Sequence, residues 1–235
     1  MTARTYLPAD FWTTTPTLDL IDEAAACSHV APDGVLANCM GRAAAQLAGS
    51  HLSFGDTTPI AWMPILFGAS GSGKSVANRA GRRLLPARDH SDDLYRAYGS
   101  ELPIRGGTPY WVHLHPVYVD RLTPAEAAAG QWAHTWPSPD GRRADFGDPF
   151  PERRISIPEP GLFLVSATAD LLVRHGAAEG RRAWVMRAAA LLAALHEERA
   201  VTAEYAAMAV VLDEVSRAVH REAVQERRAA VASGC

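Results

Sequence analysis

An α/β fold is predicted for this 235-residue chain by three features. An apolar run of strand length, Ile60–Phe67, leaves through a glycine-rich loop into a helix; helical apolar spacing precedes it; and alanine-rich helical spacing follows Gly180. The expected layout is a core, 59–178, between an N-terminal helical segment, 1–58, and a C-terminal helical hairpin, 179–235. Hydrophobic residues make up 48% and charged residues 21% of the chain, an ordinary balance for a packed domain. No apolar run approaches the roughly 20 residues that span a bilayer, and MTARTYLPADFW has no signal-peptide layout, so a cytoplasmic protein without a membrane partner is expected. A formal charge of −3 argues against coating nucleic acid by bulk electrostatics. The arginine clusters Arg79/Arg82/Arg83, Arg142/Arg143, Arg153/Arg154, Arg181/Arg182 and Arg227/Arg228 read mostly as solvated faces. Cys27, Cys39 and Cys235 offer neither an even count nor a Cys-x-x-Cys spacing, and the first two are expected as small buried hydrophobes.

Along the chain, residues 17–48 read as two helices broken at Pro32. Leu18, Ile21 and Ala25 share a face of the first; Val35, Leu36, Cys39, Met40, Ala43 and Leu47 recur at helical spacing in the second. Residues 50–59 read as a polar loop. Within Ile60–Phe67 the secure strand is Ile65–Phe67, because Pro64 donates no ladder bond and belongs at a strand start or an edge. Ser75–Leu85 reads as a helix ended by Pro86. Tyr110–Leu114 and Val117–Val119 are strand candidates, and the stretch Pro137–Pro160, punctuated by prolines, reads as loop. Gly161–Thr168 is a third buried-strand candidate. Trp184, Ala188, Leu191, Leu192 and Leu195 form one helical stripe. After a turn, Thr202 is expected to cap a second helix that buries Met208, Val211, Leu212, Val215 and Val219.

The stretch Gly68-Ala-Ser-Gly-Ser-Gly-Lys-Ser75 fits Gly-x-x-x-x-Gly-Lys-Ser/Thr, the pattern of a phosphate-binding loop between a strand and a helix. Its glycines let consecutive backbone N–H groups turn inward around a di- or triphosphate. Lysine reaches the β- and γ-phosphates as a compact point charge, a role the planar arginine fork does not fill. Of the 23 basic residues, 22 are arginine, and the single lysine, Lys74, stands at the position that requires one. The Ser75 hydroxyl is expected on the Mg²⁺ that accompanies a nucleotide. The expected ATP contacts run Gly68, Ala69, Ser70, Gly71, Ser72, Gly73, Lys74, Ser75 and Val76, with Ser75 as metal ligand.

Hydrolysis further requires an acid on a second strand, a polar residue to orient water and a cation near the γ-phosphate. Val210-Val-Leu-Asp213-Glu214 matches an acidic strand in letters, but its apolar positions keep helical spacing, so it reads as helix. Asp120, after Val117-Tyr-Val119, is the candidate acid. Thr168 or Ser166 would lie near the phosphates if Phe163–Val165 neighbours the first strand. Arg181 or Arg182 could reach a γ-phosphate in cis or across a subunit interface. Lys74, Asp120, Thr168 and Arg182 make up the candidate catalytic set. His113 and His115 alternate on one strand face, a spacing that suits a metal, though a third ligand is not evident.

Several separated stretches resemble the primase-helicase-type ATP-binding proteins of high-GC bacteria and their phages. They are Phe11-Trp12 with Thr17-Leu-Asp-Leu-Ile-Asp22 and the Pro32 helix, the Gly68–Ser75 loop, Gly106-Gly-Thr-Pro-Tyr-Trp-Val-His-Leu-His-Pro116, and the hairpin with Val201-Thr-Ala-Glu204 and Ser216-Arg217. Only the loop is specific among them. The resemblance implies a P-loop NTPase-like core between N- and C-terminal helices, ATP and Mg²⁺ as cofactors, and ATP-driven work on DNA, with DNA and further copies of the chain as partners. The chain departs from the family in having only residues 86–105 between the loop helix and Gly106, too few for the core strands that carry the acidic Mg²⁺ partner. Either the acid comes from elsewhere or the core is trimmed, and a trimmed core would bind nucleotide without turning it over. Two other readings stay open. One is a small-molecule phosphotransferase in which Arg142/Arg143 and Arg153/Arg154 clamp an acceptor phosphate as a lid closes. The other is a non-catalytic interaction protein stabilised by nucleotide.

Overall fold

The computed structural model describes residues 4–54, 58–86, 94–97, 110–135 and 149–233. Gly106 to Pro109, Arg142, Arg143, Cys235 and the expected loop at 137–148 therefore lie outside the described residues. The chain opens with helices α1 (Ala9–Trp12), α2 (Pro16–Cys27) and α3 (Pro32–Gln46). Thr15 caps α2, its hydroxyl accepting from the Leu18 amide at 3.3 Å. Pro16 and Pro32 stand at the helix starts, where a missing N–H is no loss, so the break expected at Pro32 is present. There follow β1 (His51–Leu52), β2 (Thr58–Pro59), β3 (Pro64–Phe67), α4 (Lys74–Leu84), β4 (Leu94–Ala97) and β5 (Tyr110–Leu114). A 3₁₀ turn (Pro116–Arg121), α5 (Pro124–Ala129), β6 (Gln131–His134), β7 (Leu162–Val165), α6 (Ala167–Gly176), α7 (Arg182–Leu195), β8 (Ala200–Val201) and α8 (Ala203–Ala232) complete the order.

Among the described residues the strands form two four-stranded sheets. One is parallel throughout, in the order β4-β5-β3-β6, with Ile65 of β3 opposite Val112 on one side and Trp132 on the other. The other, β2-β1-β7-β8, is mixed: β1 is antiparallel to β2 and parallel to β7, which is parallel to β8. The molecule thus has an α/β fold with parallel and mixed sheets, N-terminal helices and a long C-terminal helix.

All four residues of β3 are buried, as a parallel strand covered on both faces requires. Strand alternation sends Leu66 to one face, where Ala37 of α3 and Ala133 meet it. Ile65 and Phe67 face the other way, into a cluster with Val112, Leu114, Trp132 and, from α8, Val219 and Ala223. The larger core cluster joins α2, α3, α4, β7, α6, α7 and the first half of α8, so the N-terminal, central and C-terminal segments share one apolar interior. Helix α7 is buried nearly all round, not along one stripe, because its alanines let neighbouring helices approach from several sides.

Several elements depart from the sequence expectation. Val117–Val119 lies in the 3₁₀ turn, because Pro116 has no N–H for the ladder and its ring fixes φ. Residues 51–52 and 58–59, expected as loop, form two-residue strands too short to show a period. One strand, β4, does fit between the loop helix and Gly106. Thr202 holds the N-cap position of α8, yet its hydroxyl makes no cap bond and is buried without a partner among the described residues. Of the residues expected on the buried face of α8, Leu212 and Val219 are buried, while Met208, Val211 and Val215 are half-buried beside Ala206, Ala209, Ser216 and Ala223. Among the described residues, no helix is long and apolar enough to cross a membrane.

Val210–Glu214 lies within α8, as its spacing requires. Asp213, 1% exposed, accepts from Arg181 Nε at 2.8 Å and Arg217 Nε at 2.9 Å. Arg181 also donates to the Ala128 carbonyl and lies 4.4 Å from the centre of the Trp184 ring. This carboxylate therefore ties α8 to α7 and to the end of α5. Removing one partner of a buried ion pair strands the other, so Asp213→Ala is expected to lose about 3 kcal/mol in denaturant unfolding, and Asp213→Asn, which keeps an acceptor, less. A loss under about 1 kcal/mol for the alanine variant would show that this joint contributes little.

Candidate functional site

The loop that leaves β3 starts at Gly68, whose amide donates to the Leu114 carbonyl at 3.0 Å and so registers the turn on β5. Gly71 and Gly73 take φ of 78° and 83°, left-handed values that suit glycine. Space imposes glycine as well: a Cβ on Gly68 would lie 2.5 Å from Ser72 Oγ, and one on Gly73 would lie 2.9 Å from Val30 Cγ1. Helix α4 begins at the next residue with no side-chain cap and no acidic residue in its first turn. Among the described residues, the amides of Gly71, Gly73, Lys74 and Ser75 have no backbone acceptor. A left-handed turn running into an uncapped helix start leaves these N–H groups available to an anion.

Lys74 folds back over this turn. Its Nζ donates to the carbonyls of Gly68 at 2.6 Å and Ala69 at 2.7 Å, and to Ser72 Oγ at 3.3 Å. Burial lowers the ammonium pKa to about 8, and among the described residues no carboxylate is bonded to it. The charge of Lys74 reaches two histidines, one on β5 and one just past its end. His113 is lowered to about 4, first by burial and then by Lys74. His115 is lowered by burial and by Lys74, against the opposing pull of Glu226. Both are therefore neutral at pH 7.

The other flank of the loop is gripped by the end of β6. Thr135 Oγ1 donates to the Ser72 carbonyl at 2.6 Å and lies 3.3 Å from Ser72 Oγ, while its own carbonyl accepts from the Ala31 amide at 3.0 Å. Both hydroxyl residues are buried. Gly34 admits this packing, since a Cβ there would lie 2.7 Å from Thr135 Cγ2. The preceding His134 is fully buried between the rings of Phe67 and Tyr6, and its Nε2 lies 2.9 Å from Glu222 Oε2 on α8. Burial holds its pKa below the usual histidine value despite the Glu222 carboxylate. Glu222 Oε1 accepts from the Thr5 amide at 3.0 Å and from the Thr5 hydroxyl, which ties down the N-terminal arm. Nothing in the letters Trp-Ala-His-Thr135 marks these roles; they follow from β6 lying beside β3.

The structure brings together the loop residues Gly68 to Val76, and it scatters the remaining candidates. Ser75 is exposed in the first turn of α4 and Val76 is half-buried behind it. Asp120 is 67% exposed and pairs with Arg227 Nε at 2.7 Å. Thr168 is exposed in the first turn of α6, and its strand, β7, lies between β1 and β8 in the other sheet, so the condition that placed it near the loop is not met. Ser166 instead caps α6, accepting from the Ala169 amide at 3.2 Å. Arg182 opens α7, donates to the Arg174 carbonyl at 3.2 Å and lines a cleft with Ala177, Glu179 and Gly180. Arg153 and Arg154 line a second cleft, of about 350 Å³, between the start of α2 and the end of α7. Neither cleft includes a loop residue. Among the described residues, no group of three His, Cys, Asp or Glu is placed to hold a metal ion. Cys39 is a buried small hydrophobe, its thiol pushed up to about 12 by burial, and Cys27 is partly buried. The chain matches no protein-family model, no curated protein and no solved structure.

As the single lysine, Lys74 gives one side-chain NMR signal when lysine alone is isotope-labelled. That signal is expected to titrate with a midpoint near 8, set by burial of the ammonium against the loop. A midpoint close to the value of a solvated lysine, about 10.4, would place the ammonium in water instead.

Proposed function

We propose that the chain binds Mg·ATP at Gly68–Ser75 as a reduced P-loop ATPase related to primase-helicases, with DNA as the polymer it acts on and copies of itself as partners. The observation that carries this reading is the Lys74 ammonium, bonded among the described residues to the Gly68 and Ala69 carbonyls and Ser72 Oγ, inside a turn whose following amides have no backbone acceptor among those residues. The residues present fit a polyphosphate. The amides of Gly71 and Gly73 to Ser75 offer donors, the ammonium offers the charge, and a Cβ on Gly71 would meet nothing within 4 Å, so space lies in front of the loop. The loop also stands at the carboxyl end of a central parallel strand, where ligands of open α/β sheets bind. Lys74 would exchange carbonyl partners for phosphate oxygens, and the Ser75 hydroxyl would be the metal ligand. Mg²⁺, when bound, neutralises charge on the phosphate oxygens. DNA and self-assembly follow from the resemblance alone.

A second reading, binding without turnover, is favoured by one observation: the expected acid, Asp120, is engaged by Arg227. The cleft that Arg153 and Arg154 line takes no residue from the loop and lends the phosphotransferase reading no support.

Calorimetric titration tests the proposal. Lys74→Ala is expected to weaken ATP binding by at least about tenfold, or about 1.4 kcal/mol. In the free protein Lys74 is charged below a pKa of about 8 and loses its proton above it. A bound polyphosphate raises that pKa, so binding takes up protons near and above pH 8, and affinity is level well below pH 8 and falls as pH rises, by up to about tenfold per pH unit. Absence of ATP or ADP binding at millimolar concentration, or equal binding by the alanine variant, would refute the reading. Phosphate release stimulated by single-stranded DNA would favour the helicase relative; thermal stabilisation by ATP without turnover would favour simple binding.

A further inference from the structure

Helix α8 runs along β6 toward the carboxyl edge of the parallel sheet. Ser216 Oγ accepts from the Trp132 amide at 2.9 Å, and further along both elements Glu222 Oε2 meets His134 Nε2 at 2.9 Å. The next turn of the helix passes beyond the strand ends, and Glu226, one turn after Glu222, lies on the same stripe. Its neighbour Arg227 is tied at 2.7 Å to Asp120, in the turn that follows β5. Anchored toward β6 by Glu222 and toward β5 by Arg227, this part of α8 runs from the end of β6 toward the end of β5, the two strands that flank β3. In keeping with that placement, the Glu226 charge acts on both His115 and His134, one on each side of β3, and His115 also feels Lys74.

The other carboxylates of this region are already engaged: Glu222 by Thr5 and His134, Asp120 by Arg227, Asp213 by Arg181 and Arg217, and Asp33 by the Leu7 amide at 2.9 Å. Glu226 is half-buried and makes no hydrogen bond or ion pair among the described residues.

We propose that Glu226 is the carboxylate that reaches, through a water, the Mg²⁺ of a nucleotide seated in the loop. The inference rests on the nucleotide reading and names the acid that reading lacks. Mg²⁺ keeps several waters and is held by one or two carboxylates beside phosphate oxygens. A carboxylate facing a polyphosphate repels it unless a cation stands between them. Glu226 therefore makes nucleotide affinity depend on Mg²⁺: it opposes metal-free ATP and supports Mg·ATP.

The test is the ATP affinity of the full chain, with excess Mg²⁺ and with EDTA, for wild type, Glu226→Gln and Glu214→Gln. The last removes the same charge from an exposed position of the same helix. The ratio of Mg²⁺ to EDTA affinities is expected to fall by at least about tenfold in Glu226→Gln, with metal-free binding tightened and Mg·ATP binding weakened, and to stay at the wild-type value in Glu214→Gln. A wild-type ratio in Glu226→Gln, or equal weakening in both conditions as a merely structural role would give, overturns the inference and leaves the nucleotide reading intact. Absence of ATP binding by the wild type in either condition overturns that reading and the inference with it.

Discussion

The way the chain leaves β3 sets the geometry of everything around it. Every side chain of Pro64–Phe67 is buried, so the backbone can only depart at the carboxyl edge, between the ends of β5 and β6. There it is held on one side by the bond from Gly68 to Leu114 and on the other by Thr135 gripping Ser72. Between those two grips the turn is too tight for a Cβ at Gly68 or Gly73. The outcome is a loop whose Gly68 and Ala69 carbonyls accept from Lys74 and whose later amides have no backbone acceptor among the described residues. Glycine is required by the crowding, which Ser72 of the loop itself makes at Gly68 and Val30, between α2 and α3, makes at Gly73.

Helix α8 is the second constraint, because it works on both parts of the molecule. Its first half enters the large core with α6 and α7; its second half covers the parallel sheet with Val219 and Ala223. Asp213 marks the change between them, holding Arg181 and Arg217. Beyond it the helix directs polar groups at the end of β6: Ser216 at the Trp132 amide and Glu222 at His134. His220, stacked on Trp132 at 4.5 Å, fills the interval between them. A polar stripe that in isolation resembles a solvated face is here a row of contacts, and it carries the helix toward the loop. The N-terminal arm is drawn into the same place, since Thr5 donates to Glu222 and Leu7 to Asp33.

What could be read from the letters was local. The glycine spacing of the loop, the single lysine, Pro32 at a helix start and the apolar spacing of α2, α3, α7 and α8 each follow from the conformational rules of a few adjacent residues. The same locality explains the helical assignment of Val210–Glu214 over its strand-like letters. Where a short element is buried on every side the period disappears: Gln131-Trp-Ala-His134 shows no alternation because both faces are covered. Val117–Val119 misled in the opposite sense, its β-formers overruled by the proline before them.

By itself, then, the sequence determined that an apolar strand would turn through glycines into a helix, and that a lone lysine would stand at that helix start. It also determined helices at both ends of the chain. Only the tertiary structure decided that β7 joins the second sheet and takes Thr168 with it, that Asp120 turns to Arg227, and that Thr135, His134 and Glu222 gather at the carboxyl edge of the first sheet. The reason is physical: strand order and the direction of a covering helix depend on which buried surfaces fit together, and those surfaces come from residues as far apart as Thr5 and Glu222.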